Sequence, residues 1–334
     1  MTVDARRAAW QRGSVNFPAY YLHRLDPVIV RISDSIQLRW YGVAYVLGFI
    51  AGYLLLRRWA RRGVGVLKET QVADFLTYAA LFGVLLGGRL GYMLLYDHEN
   101  FFANPLSFFN VMGGGMASHG GVLGLFFFTL YWSRRHRQSW TGLGDNLVVA
   151  APLGLFFGRM ANFINGELYG RPADVPWAMK FPEEARHWQP GDDRYESLRS
   201  LLIDRVPEGA SVSDAITSLA RTDDAFAQGI EPLLTPRHPS QLYEAALEGA
   251  LLFAVLYFIR ERWPRAPHGL LTALFFILYA VFRIVGENYR EPDNYIMGLT
   301  EGQFYSTFMI LIGLAFLVFA IRRGRQNLPN GTPS

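Results

Sequence analysis

The chain contains no cysteine. Disulfides, thiolate metal sites and a cysteine nucleophile are thereby excluded together, and any sulfur chemistry must use sulfur brought by a substrate. Charge is scarce as well. Asp, Glu, Lys and Arg make up 18% of the 334 residues, against about 25% in an ordinary soluble domain. The first 35 residues are polar and mixed in charge, without the apolar core of a cleaved signal peptide. The first apolar block is therefore expected to act as an uncleaved anchor. Internal repeats and low-complexity runs are missing too. A net charge of +4 raises the question of nucleic acid, but the arginines gather beside apolar blocks rather than along a solvated face, and no nucleic-acid partner is expected.

What the chain has in abundance is apolar length. Hydrophobic residues account for 51% and aromatics for 15%. They fall in blocks that approach the roughly 20 residues a membrane helix needs, at 38–56, 72–96, 118–133, 145–165, 240–259, 269–288 and 302–321. The expected fold class is an all-α integral membrane protein with seven transmembrane helices. Basic residues set its orientation. Arg57, Arg58, Arg61 and Arg62 follow the first block, Arg134, Arg135 and Arg137 the third, Arg260, Arg262 and Arg265 the fifth, and Arg322, Arg323 and Arg325 the seventh. Residues 97–115 hold no Lys or Arg, 289–301 one Arg against three acids, and 167–237 eight basic against 13 acidic residues. The N-terminus is thus expected outside and the C-terminus in the cytoplasm. Six Arg and three Asp in residues 1–39 run against this rule, and four alternating internal signals outweigh them. The expected organisation is an extracytoplasmic N-terminal segment 1–37, helices one to four in 38–166, an extracytoplasmic head 167–237, helices five to seven in 238–322, and a cytoplasmic tail 323–334. The stretch after Arg325 is expected to be disordered.

Charged groups inside a bilayer cost about 2.5–3.5 kcal/mol each, and polar residues there point to function by default. With this topology most of them share one level, in the outer leaflet. They are Tyr41 at the start of span one, Arg89 in span two, His119 at the entry of span three, Arg159, Asn162, Asn165 and Glu167 at the end of span four, His238, Gln241, Tyr243 and Glu244 at the start of span five, and Tyr279, Arg283 and Glu287 in span six. The last three repeat every four residues and share one helix face. A common depth across six helices points to one site. Blander roles compete at each position: a structural Arg283–Glu287 pair, an interfacial aromatic belt for Tyr41, a helix cap for His119, and helix packing for Gly87, Gly88 and Gly91. Asp145, at the inner end of span four, is read as a helix N-cap.

The run Gly158-Arg159-Met160-Ala161-Asn162-Phe163-Ile164-Asn165-Gly166-Glu167-Leu168-Tyr169-Gly170 resembles the signature G-R-x-[GA]-N-F-x-N-x-E-x-x-G of bacterial prolipoprotein diacylglyceryl transferases. Arg39-Trp40-Tyr41-Gly42, Gly88-Arg89-Leu90-Gly91, Ser118-His119-Gly120-Gly121, Arg237-His238-Pro239-Ser240-Gln241-Leu242-Tyr243-Glu244, and Phe282-Arg283 followed by Glu287 also resemble family segments in the family's order. The likeness spans about 36–322; the N-terminal 35 residues and segment 183–232 depart from it. The resemblance implies a seven-span inner-membrane enzyme whose site faces the periplasm or cell exterior. It implies transfer of the diacylglyceryl group of phosphatidylglycerol to the lipobox cysteine of a prolipoprotein signal peptide, with glycerol-1-phosphate released and no metal, nucleotide or other cofactor.

The residues suit that chemistry. A cysteine thiol is only a few per cent thiolate at neutral pH, and His119 is the candidate base. Arg159 and Arg283 are assigned to the lipid phosphate, because guanidinium gives planar, bidentate contact and stays charged in apolar surroundings. Asn162, Glu167, Gly170, Tyr41, Tyr279, Glu287, Arg89 and Glu244 complete the expected substrate site. Asn162 is expected on the headgroup, Glu167 on glycerol hydroxyls or an arginine, Glu287 beside Arg283, Tyr279 on the phosphate or Arg283, and Glu244 beside Arg89. Gly166 and Gly170 are read as turn glycines. A transporter reading lacks repeated halves, a lipase reading lacks a G-x-S-x-G elbow, and a scaffold leaves the shared depth unexplained.

Overall fold

A computed structural model describes residues 20–32, 37–109, 115–203, 205–206, 212–292 and 294–326. The disordered tail expected at the C-terminus falls largely on residues outside this set, as does most of the N-terminal segment. The long helices, in chain order with shorter ones between them, are α1 (Trp40–Arg61), α2 (Glu69–Leu95), α3 (His98–Ala103), α4 (Ser118–His136), α5 (Trp140–Asn165), α6 (Asp193–Leu202), α7 (Val212–Thr222), α8 (Asp224–Ile230), α9 (Ser240–Arg262), α10 (Leu270–Glu287) and α11 (Glu301–Gln326). Six of the seven expected blocks, α1, α2, α5, α9, α10 and α11, form helices long and apolar enough to cross a membrane by length and composition. The expected third block forms α4, a helix of 19 residues, but is not among the six. Its Ser-His-Gly-Gly start and Arg134, Arg135 and His136 at its end dilute the apolar run. Helices α1, α9 and α11 run past their apolar blocks into the arginines that follow. Arginine is a good helix former, and a cation at a helix C-terminus meets the negative end of the helix dipole.

The chain divides into two compact units. One takes the described residues up to Trp40, Ala161–Tyr243 and Asn288–Glu291; the other takes Tyr41–Met160, Glu244–Glu287 and the chain from Pro292. In the second unit, Leu56, Trp59, Phe75, Leu143, Leu252, Leu256 and Leu271 form a buried core. Phe82, Phe127, Phe258, Phe308 and Leu311 are exposed on the helices of this unit. Apolar faces this numerous suit an apolar solvent rather than water. Helices α2 and α4 meet backbone to backbone: a Cβ on Gly91 would stand 2.5 Å from Gly120 Cα. Gly87 and Gly91 therefore serve packing as expected, as small residues do where membrane helices cross closely, while Gly88 faces the Met116 side chain. Asp145 is fully buried inside α5 and does not cap its own helix. It accepts from the Gly269 and Thr272 amides and the Thr272 hydroxyl, each at 2.8 Å, and so caps α10.

The first unit holds its own small core. Trp188, Leu198, Ile216, Phe226 and Ile230 bury together, with Leu22 packed against them. Asp192 accepts from the Arg194 amide to cap α6, and Asp223 accepts from the Ala225 and Phe226 amides to cap α8. Strands β1 (Tyr21–Leu22) and β4 (Met179–Lys180) pair in parallel, while β2 (Val28–Arg31) and β3 (Gln37–Arg39) form an antiparallel hairpin. His23, 5% exposed, sits between Phe163 and Phe181, with ring centroids 5.4 and 5.3 Å away. Burial pushes its pKa down to about 4. An imidazole whose folded pKa lies below the unfolded value binds more protons when unfolded, so its contribution is complete above about 6.5 and is lost as pH falls through about 4. Melting of this unit is expected to weaken over that window by up to about 3 kcal/mol. His23→Phe should flatten the dependence, and an unchanged pH profile in that variant would count against it.

Candidate active site

The signature run closes α5, and its helical register decides where its residues go. Arg159 lies in the last turns of α5. Glu244 and Glu248 follow each other on α9, where residues Ala245–Leu251 are π-helical. Residues four apart share one helix face, and π-helical turns recur at functional sites. Both carboxylates therefore face the same way. Gly249 lets the segment close on α5: a Cβ there would stand 2.7 Å from Phe156 Cβ, one turn before Arg159.

Two guanidiniums from different helices meet these carboxylates. Arg159 Nε lies 2.9 Å from Glu244 Oε2 and its Nη2 3.5 Å from Glu248 Oε2. Arg283 Nη1 donates to Glu244 Oε1 at 3.0 Å and stands 3.5 Å from Glu248 Oε1. Its Nη2 lies 2.6 Å from Glu287 Oε1, the i,i+4 partner on α10. Glu244 and Glu248 are 0% exposed and Glu287 2%. Two half-buried cations so close need anions beside them, and this lattice supplies them.

His119 opens α4 and is exposed. Its ring meets Tyr305 of α11 edge-on at 5.5 Å between centroids. One turn before Tyr305, Gly302 abuts the Glu287 carboxylate, and a Cβ there would stand 3.0 Å from Arg283 Nε. The imidazole thus packs on a residue of α11 one turn from Gly302, which abuts the Arg283 cluster. Tyr279 stacks on Phe275 at 5.7 Å among core residues. Tyr41 packs edge-on with Tyr45 near the start of α1.

Arg89 has a different setting from the one expected. Glu244 is tied to Arg159 and Arg283, whereas Arg89 donates to the carbonyls of Phe108, Gly115 and Ser107 at 3.0, 3.1 and 2.7 Å. Its guanidinium fastens the chain between α3 and α4.

In the first unit the rest of the signature is tied to itself. Glu167 accepts from Asn162 Nδ2 at 2.7 Å and Asn165 Nδ2 at 3.2 Å. The Glu167 carbonyl accepts from Gln241 Nε2 at 2.6 Å, and the Leu168 carbonyl from Ser240 Oγ at 3.1 Å. Gly166 has φ +75°, the turn glycine expected. Gly170 is required for another reason: its amide donates to the His238 carbonyl at 2.9 Å, and a Cβ would stand 2.7 Å from that oxygen. Arg237 donates to Glu184 at 3.2 Å and Glu291 at 2.8 Å. Burial works against its charge, but the Glu184 contacts outweigh it and hold the guanidinium above its ordinary pKa. Burial pushes the His238 imidazole down.

Sequence reasoning missed Glu248, Gly249, Gly302 and Tyr305. The signal for Glu248 was present: a carboxylate inside an apolar run, one turn beyond Glu244, is as costly as those that were singled out.

The comparison with known proteins bears on the whole constellation. The family described as prolipoprotein diacylglyceryl transferase matches residues 27–319. The chain belongs to this family. Among relatives named phosphatidylglycerol–prolipoprotein diacylglyceryl transferase, one from Bdellovibrio bacteriovorus is 38% identical over 342 residues, covering 92% of this chain and 96% of the relative. One from Rhodospirillum centenum is 40% identical over 312 residues, covering 92% and 94%, and one from Rhodospirillum rubrum is 39% identical over 323, covering 94% and 97%. The match to the diacylglyceryl transferase family takes in every helix that carries the Arg159–Arg283 cluster, together with the head segment 183–232.

Proposed function

We propose that this chain transfers the sn-1,2-diacylglyceryl group of phosphatidylglycerol to the lipobox cysteine of a prolipoprotein, forming a thioether and releasing glycerol-1-phosphate. The observation that carries the reading is the convergence of Arg159 and Arg283 on the buried Glu244–Glu248 pair. A lipid phosphate placed between the guanidiniums has its charge held by fixed donors before reaction begins. The substrate thiol gives its proton to His119, and the sulfur attacks the glycerol carbon that bears the phosphate ester. A C–S bond forms as the C–O bond breaks, and the electron pair leaves on the glycerol phosphate, where Arg159 and Arg283 meet the developing charge. His119 then returns its proton to solvent. Glu287 fixes Arg283. Asn162, which donates to Glu167, is assigned to the headgroup, Gly170, Tyr41 and Tyr279 to the rest of the substrate, and Arg89 to ordering the chain before His119.

The setting that goes with this chemistry is the inner membrane, crossed seven times with α4 as the third span. The N-terminus and the 167–237 head lie outside, the arginine-bearing ends inside, and the site faces the periplasm. The reading is tested with phosphatidylglycerol, labelled in its terminal glycerol, and a lipobox peptide. Release of labelled glycerol-1-phosphate with a Cys peptide and none with its Cys→Ser counterpart is the expected result. Lipid turnover without peptide, or with the Ser peptide, would reject it. His119→Gln is expected to lower turnover about 10²–10⁴-fold, the range over which a positioned base contributes; full activity in that variant would remove His119 from the mechanism.

A further inference from the structure

The cluster contains one carboxylate more than its arginines require. Two guanidiniums, Arg159 and Arg283, face three buried carboxylates, Glu244, Glu248 and Glu287. The three are not held alike. Glu244 and Glu287 contact the arginines at 2.6–3.0 Å. Glu248 stands 3.5 Å from both, and neither of its oxygens has a hydrogen-bond partner. A buried anion that is poorly bonded is expensive. It nevertheless sits on the Glu244 face, within a π-helical turn that Gly249 lets approach α5 closely.

We propose that Glu248 is a positioning residue that competes with the lipid phosphate for Arg159 and Arg283. Bridging both guanidiniums from one side, it holds them in register, and through its long contacts it is the anion a phosphate most readily displaces. Glu244 and Glu287 then balance the two arginines while the phosphate takes the place of the third carboxylate. The same competition helps expel the product: glycerol-1-phosphate leaves a pair of arginines that have another anion to return to. The inference deepens the proposed reaction and rests on that reading.

The test is Glu248→Gln, which keeps the side chain's volume and removes its charge. Phosphate is expected to bind more tightly, with the KM for phosphatidylglycerol about fivefold lower, and kcat is expected to fall because product leaves slowly. Glu244→Gln, which breaks the short contacts, is expected to lose turnover without gaining affinity. Wild-type turnover of phosphatidylglycerol checks the underlying reaction. Binding of glycerol-1-phosphate, read without turnover from the melting shift it produces in the purified full-length protein, checks the inference alone. A larger shift in Glu248→Gln than in wild type supports competition; an equal or smaller shift overturns it. If the Gln variant does not fold, Glu248→Asp withdraws the carboxylate by one methylene and should shift in the same direction to a smaller degree. An Asp variant that binds glycerol-1-phosphate no more tightly than wild type would overturn the idea equally.

Discussion

Arg283→Ala and Arg159→Ala are each expected to lower turnover of phosphatidylglycerol about 10²–10³-fold, or roughly 2.7–4 kcal/mol in the barrier, the loss seen when one donor to a developing anion is removed. Each arginine does two things at once. It balances Glu244, which is fully buried between them, and it presents its remaining donors to the phosphate. Affinity and rate should therefore both suffer, with the larger loss in kcat because charge on the leaving oxygen is greatest in the transition state. Lysine separates the two duties. It restores the charge but not the planar fork that spans Glu244 and Glu287 from one side chain at Arg283. Arg283→Lys should melt near the wild-type temperature and still turn over slowly. Near-normal kcat in Arg283→Lys would mean that charge alone suffices, and the bidentate account would be wrong.

The helices were legible because a bilayer imposes a length, and apolar runs of that length are visible in one dimension. The boundaries were less so. Helices α1 and α9 continue through Arg57, Arg58, Arg61 and Arg260, since hydrogen bonding does not stop where hydropathy does. The residues of the cluster were found by cost: Arg159, Glu244, Arg283 and Glu287 stood out as charges in apolar surroundings, and they meet. Pairing was harder. Arg89 reads as another charge in search of an acid, yet its partners include three carbonyls, and backbone acceptors carry no sequence signature. The same holds for Gly170, whose need is for space beside the His238 carbonyl rather than for a turn. Glu248 escaped although its spacing from Glu244 already places it on the same helix face, because the charges were sought near the ends of the apolar runs and Glu248 lies inside one. The segment 167–237 read as polar and broken by prolines, and its small core of Trp188, Phe226 and Ile230 is too sparse in sequence to announce itself.

Asp145 gives the second large effect, on stability rather than turnover. Its side chain is fully buried within α5 and accepts three hydrogen bonds at 2.8 Å from the start of α10. The amides of a helix's first turn have no partner within the helix, and in apolar surroundings water cannot supply one, so this one carboxylate fastens α10 to α5 through bonds that nothing adjacent in sequence replaces. It is also the anion nearest Arg260, which is 1% exposed, lies 3.9 Å away and has Nε and Nη2 without hydrogen bonds. Asp145→Ala therefore orphans two amides and a buried cation together, and is expected to destabilise the protein by about 3–5 kcal/mol. Asp145→Asn keeps one acceptor and should lose less. Replacing Arg260 as well, in Asp145→Asn with Arg260→Met, removes the uncompensated charge and should recover part of the loss, a coupling that a double-mutant cycle of melting measurements reads directly. Additive losses would show that Arg260 is neutralised by some other group, and the pairing of these two buried charges would then have no energetic standing.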